Sequence, residues 1–212
     1  MASSTAATAT ESVERQAPAT IALIGLPGGG KSSVGRHLAR SLRRPFVDVD
    51  TEIERRIGCS IRVFFEREGE ATFRDIEQEV LASLLEAAGV PDTVLATGGG
   101  AVLREANRAA LRRGSTVVYL RSSPEEVFRR LRHDTQRPLL QVRDPMQKLR
   151  ELYQQRDPLY QVTAHYTIET GRPSIPTLVN MILMQLELAG VVDAGLVPSS
   201  VLPRPPGGLP PR

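Results

Sequence analysis

The octet Gly25-Leu-Pro-Gly-Gly-Gly30-Lys31-Ser32 carries the most specific chemical signal in the chain. It reads G-x-x-x-x-G-K-[ST], and it lies between a β-branched apolar run, 20–24, and a segment of helical spacing, 32–42. Adjacent glycines let successive backbone N–H groups turn toward phosphate oxygens, the helix N-terminus adds partial positive charge, and the Lys31 ammonium reaches the β and γ phosphates. Ser32 is a ready Mg2+ ligand. The octet therefore marks a nucleoside triphosphate site but leaves the fate of the γ phosphate open. A GTP-driven switch is disfavoured because the chain has no Asn-Lys pair to build an N-K-x-D base-reading motif. The run Val94-Leu-Ala-Thr97 has no acidic residue to steady a metal, so that carboxylate has to come from elsewhere.

Asp48 and Asp50 supply it, bracketing Val49 at the end of a second predicted strand. In extended backbone, residues i and i+2 point the same way, which places both carboxylates on the crevice beside the phosphate loop. One can support Mg2+ through water, and the other can orient an attacking hydroxyl or take its proton. Alone, such a pair is an ordinary helix cap; following a phosphate loop, it is a candidate for chemistry. Three further features suit an anionic small molecule. Thr97-Gly98-Gly99-Gly100 follows a strand and can present backbone N–H groups at close range. Arg74, with Glu77 three residues on, and Arg156 lie on predicted helices. Arg137 lies in a non-periodic stretch of the kind that closes over a triphosphate. Each of these arginines taken singly is equally an ordinary surface residue.

The elements that must position these groups alternate along the chain. Residues 20–24, 46–49, 93–96, 116–120 and 166–169 read as strands, and 32–42, 70–88, 105–113, 124–131, 145–156 and 176–189 as helices. Ser123-Pro124 with Glu126 forms a capping box with proline at the first helical position. The alternation predicts an α/β fold, a five-stranded parallel sheet with helices on both faces, whose ligands sit at the carboxyl ends of the strands. Leu178, Ile182, Leu186 and Ala189 share one helical face and read as core.

With 212 residues, 41% of them hydrophobic and 24% charged, the chain suits a single folded domain and excludes disorder as its main state. No run of 18 residues stays apolar, so no membrane partner is expected. A net charge of +3 without a basic cluster gives no nucleic-acid surface. Of the 27 basic residues only Lys31 and Lys148 are lysines, which makes the lysine of the octet the more telling. Cys59 is the only cysteine, fitting a reducing, cytoplasmic setting with no intrachain disulfide. Residues 1–18 read as a disordered leader, 19–190 as the folded domain and 191–212 as a disordered Pro-rich tail.

Taken in order, the phosphate loop, D-V-D, F-R-x-x-E, T-G-G-G, R-P-L-L and R-x-P-L-Y make the chain resemble the shikimate kinases, from about Ile21 to about Leu188. The resemblance implies a nucleoside-monophosphate-kinase-like fold, ATP and Mg2+ as cofactors, and phosphorylation of the 3-hydroxyl of shikimate on the way to chorismate and the aromatic amino acids. It further implies that Gly28, Gly29, Gly30, Lys31, Ser32 and Ser33 hold the triphosphate, that Ser32 binds Mg2+ directly, and that Asp48 assists through water. Asp50 would contact the accepting hydroxyl and Arg74 and Arg156 would clamp the carboxylate. Gly98, Gly99 and Gly100 would line the ring, with Phe65 and Phe73 as an apolar wall. Arg137 would be the arginine of a lid at about 132–144, and Arg130 and Arg172 would flank the adenine. Ser33 departs from the threonine common at its position, and both tails exceed the usual length. A related kinase acting on another hydroxylated acid, such as gluconate, and a non-catalytic ATP-binding regulator are the competing readings. A monomer is expected, since no exposed heptad seam is visible.

Overall fold

The computed structural model describes residues 20–86, 92–132, 143–171 and 173–193. Strand β1 (Ile21–Ile24) is apolar and buried at every position, a pattern that only an interior strand covered on both faces sustains. It pairs in parallel with β3 (Val94–Ala96) on one side and β4 (Thr116–Arg121) on the other. Outside these lie β2 (Phe46–Asp48) and β5 (Tyr166–Glu169), giving one parallel sheet in the order β2-β3-β1-β4-β5.

Because successive side chains of a strand point to opposite faces, β1 feeds two cores at once. Ile21 and Leu23 pack with Val34 and Leu38 of α1 (Lys31–Leu42) and with Val179 and Ile182 of α7 (Ile175–Leu188). Ala22 and Ile24 face the other way. Their layer is built from Ile53 of α2 (Val49–Ile57), Leu81 of α3 (Ile61–Glu86), Leu111 of α4 (Glu105–Gly114), Val127 of α5 (Pro124–Leu131) and Leu149 of α6 (Pro145–Thr163). The five-stranded parallel sheet with helices on both faces expected from the sequence is thus the fold.

Local signals set the helix starts. The capping box at Ser123 forms in both directions, with Ser123 Oγ accepting from the Glu126 N–H and Glu126 accepting from the Ser123 N–H. Asp144 and Ser174 cap α6 and α7, each followed closely by proline in the first turn.

Three elements differ from the sequence reading. Strand β2 stops at Asp48, and Val49, taken as its last residue, is the first of α2, which the sequence reading lacked. The helix expected from residue 70 begins at Ile61 and is interrupted at Gly69, whose φ of 78° lies in the left-handed region. The helix expected to stop at 156 runs through Pro158 to Thr163. The proposed leader, most of the proposed lid, the greater part of the Pro-rich tail, Arg137 and Arg172 lie outside the described residues.

Candidate active site

The phosphate loop joins the carboxyl end of β1 to α1 at the middle of the sheet. Gly28 and Gly30 take φ values of 75° and 94°, which glycine adopts without the steric cost that a Cβ would bring. At Gly28 a Cβ would also come within 2.6 Å of Leu131. Lys31 is buried, and its ammonium donates to the carbonyls of Gly25 at 2.9 Å and Leu26 at 2.8 Å, which ties the loop's single cation to its own backbone. Ser32 Oγ donates to Asp48 Oδ2 at 2.6 Å. Ser33 is exposed in the first turn of α1. Together with Asp50, Thr97 and Gly99, the loop lines a cavity of about 450 Å³.

Asp48 and Asp50 converge on this cavity by a route other than extended backbone. Asp48 is the N-cap of α2 and its Oδ1 accepts the Asp50 N–H at 3.2 Å, while Asp50 sits in the first helical turn. Burial pushes the Asp50 carboxyl up to about 6; Lys31 pulls the other way, and the carboxylates of Asp48, Glu77 and Glu54 add to the rise. A carboxylate so placed is poised to exchange a proton near neutral pH.

Beyond Asp50 the triple-glycine turn after β3 fits where no side chain fits. A Cβ on Gly98 would lie 2.6 Å from Asp50 Oδ1 and 3.0 Å from Glu77 Oε1, and one on Gly100 would collide with the Arg74 guanidinium. Arg74 is held by Glu77 at 2.7 Å and by Glu70 at 2.9 Å. Burial alone would lower its pKa, but the two carboxylates outweigh that and leave it raised. Its guanidinium lies 5.2 Å over the ring of Phe73 and 6.0 Å over that of Phe65, and the two rings pack at 4.5 Å. From the other side Arg156 Nη1 donates to the Gly99 carbonyl at 3.1 Å, while its Nε is buried with no hydrogen-bond partner among the described residues. A buried N–H of this kind, on a guanidinium at the turn that also abuts Arg74, suits an anionic oxygen as its acceptor.

Arg130 bonds the Gly29 carbonyl at 3.1 Å, Ser122 Oγ at 3.2 Å and the Thr170 carbonyl at 2.5 Å, so it braces the loop against the ends of β4 and β5. The structure therefore gathers Lys31, Ser32, Asp48 and Asp50 at one end of the crevice, and Arg74, Arg156, Phe65, Phe73 and Gly98 to Gly100 around the other. Two residues had no role from sequence, although both lie within R-x-P-L-Y, Asp157 at its variable position and Tyr160 at its end. Tyr160 donates to the Gly99 carbonyl at 2.6 Å, and Asp157 accepts from Tyr119 at 2.7 Å and from Arg121 at 3.1 Å.

A parallel sheet with the phosphate loop on its central strand, a carboxylate pair at the end of the edge strand β2 and an arginine-lined acceptor end define a P-loop kinase of small molecules. The family model described as shikimate kinase matches residues 27–187. The shikimate kinase of Paracidovorax citrulli (strain AAC00-1) is 61% identical over 173 residues, spanning 81% of this chain and 94% of its own. That of Burkholderia pseudomallei (strain K96243) is 55% identical over 172 residues, with 81% and 92% covered. A solved shikimate kinase from Acinetobacter baumannii in complex with shikimate superposes with a TM-score of 0.75 at 47% identity, covering 82% of this chain and 96% of that one. The chain belongs to the shikimate kinase family. A gluconokinase from Sinorhizobium meliloti shares the fold alone, with a TM-score of 0.53 at 21% identity.

Proposed function

We propose that the protein transfers the γ-phosphoryl group of ATP to the 3-hydroxyl of shikimate, giving shikimate 3-phosphate and ADP, a step on the way to chorismate and the aromatic amino acids. The observation that carries this reading is the Arg156 Nε, buried with no hydrogen-bond partner among the described residues, at the triple-glycine turn that also abuts the ion-paired Arg74 and Asp50. A carboxylate bearing a nearby hydroxyl answers both halves of that arrangement.

In this reading the N–H groups of Gly28 to Ser33 and the Lys31 ammonium bind the triphosphate, and Arg130 keeps the loop in place through Gly29. Ser32 and Asp48 place a hydroxyl and a carboxylate oxygen together at the loop, the hard oxygen donors that Mg2+ takes alongside phosphates and water. Held by these residues, Mg2+ would supply charge neutralisation at the phosphates. Asp50 orients the acceptor hydroxyl and takes its proton as the hydroxyl oxygen bonds to the γ phosphorus and the β–γ bridging oxygen leaves with ADP. Arg74 and Arg156 clamp the acceptor carboxylate while Phe65 and Phe73 wall the ring. Arg137 is assigned to the γ phosphate and Arg172 to the adenine on the family resemblance alone. The reading takes residues 19–190 as the working unit, acting as a cytoplasmic monomer.

Phosphorus NMR of a reaction with Mg·ATP and shikimate tests the proposal. One phosphomonoester formed per ADP supports it, whereas ADP accompanied only by inorganic phosphate refutes the transfer.

A further inference from the structure

Helix α6 presents two donors to one acceptor. Arg156 Nη1 and Tyr160 Oη, one helical turn apart, both donate to the Gly99 carbonyl, at 3.1 and 2.6 Å. Tyr160 is wholly buried, its ring 4.9 Å from that of Tyr119, so its hydroxyl has been taken out of water, and it donates to this peptide while also meeting the Arg156 side chain. Because a trans peptide is planar, a Gly99 carbonyl drawn onto α6 turns the N–H of Gly100 away from α6. The Gly100 α-carbon on that same peptide faces the Arg74 guanidinium so closely that no Cβ fits between them. The Gly99–Gly100 peptide therefore borders both arginines: its tilt bears on Arg156 through a hydrogen bond and on Arg74, which Glu70 and Glu77 also hold, through the close approach of the Gly100 α-carbon.

We infer that Tyr160 is a positioning residue for the acceptor's carboxylate: its hydroxyl fixes the Gly99–Gly100 peptide, which holds Arg156 Nε and Arg74 aimed at a shared anion. Arg156 cannot fix that peptide unaided, because a guanidinium bonded through one Nη atom pivots about the contact. The phenol is a short, rigid donor anchored in the core. The inference rests on the shikimate kinase reading and deepens it at the carboxylate end.

The test compares Tyr160→Phe with Tyr119→Phe. Each variant keeps the paired rings and deletes one buried phenolic hydroxyl, Tyr160's from Gly99 and Tyr119's from Asp157 at 2.7 Å. Melting temperature, kcat and both KM values are measured for the wild type and the two variants. The expected result is a similar small drop in melting temperature for both. Only Tyr160→Phe should raise the shikimate KM, by about fivefold to tenfold, with the ATP KM and kcat within about twofold of wild type, as lost ground-state alignment predicts. An unchanged shikimate KM in Tyr160→Phe overturns the inference, and so does an equal rise in Tyr119→Phe or a parallel rise in the ATP KM, since each marks general loosening. No shikimate-dependent turnover in the wild type would overturn the underlying reading instead.

Discussion

Asp50 pays for its position in stability and returns it in chemistry. Its carboxyl is raised from 3.8 to about 6, chiefly by burial, so the folded protein binds that proton more tightly than the unfolded chain does. The stability gained from this is complete below about pH 4 and is lost as pH rises through about 6. Above that, carrying the buried charge costs about 2 to 3 kcal/mol. Asp50→Asn should therefore melt higher than wild type at pH 8, with the gap narrowing between pH 6 and 4, as thermal unfolding across that range will show. The same substitution should lower kcat by about 100-fold or more, and wild-type kcat/KM for shikimate should fall below about pH 6 as the carboxylate is protonated. The two arginines differ in a testable way. Alanine at either should raise the shikimate KM by about 10- to 150-fold, the worth of one charge-assisted bond, and leave the ATP KM nearly unchanged. Arg74→Ala should also destabilise by about 3 to 5 kcal/mol, because it strands Glu77, which is 1% exposed, whereas Arg156→Ala breaks no ion pair of that kind among the described residues.

Between elements, the turn after β3 packs directly against the phosphate loop after β1. A Cβ on Gly99 would lie 2.6 Å from the Pro27 ring and 2.8 Å from its backbone nitrogen. Gly99→Ala must therefore push two site-bearing turns apart. Steady-state kinetics should show at least a tenfold fall in kcat/KM for both substrates, since displacements of order 1 Å at a reacting centre cost about that or more. The elements also show what sequence can and cannot carry. β1 and the phosphate loop were legible because an apolar run, a glycine octet and a helical segment are contiguous. α2 was not, although Val49, Ile53 and Ile57 have helical spacing and Gly58 closes the helix with a φ of 70°. Val49 completes the alternation of Phe46-Val-Asp-Val as well as it starts a helix, and only the pairing of β2 with β3, ending at Asp48, decides. Asp48 and Asp50 were thus brought together by a cap and a first turn, and the extended geometry expected of them never forms. The helix expected to end at 156 continues past Pro158, where Asp157 and Tyr160 tether it to β4 and to Gly99.

At the scale of the whole molecule, the alternation of strands and helices foretold the parallel sheet, while the order β2-β3-β1-β4-β5 had no local signal, because it depends on pairings between distant segments. That order is what makes the site. It sets β1 between β3 and β4, so the phosphate loop meets the triple-glycine turn on one side and Ser122 with Arg130 on the other. It also lets α6, packed on the β4 side, reach across to Gly99. The motifs named these residues in sequence order, but their convergence on one crevice is a property of the sheet. This crevice takes ATP as phosphoryl donor and shikimate in particular as acceptor. ADP formation by the purified protein with Mg·ATP, followed in parallel with shikimate, with gluconate and with no acceptor, tests it most directly. Turnover is expected with shikimate alone; equal ADP formation in all three, or turnover that depends on gluconate, would overturn the assignment.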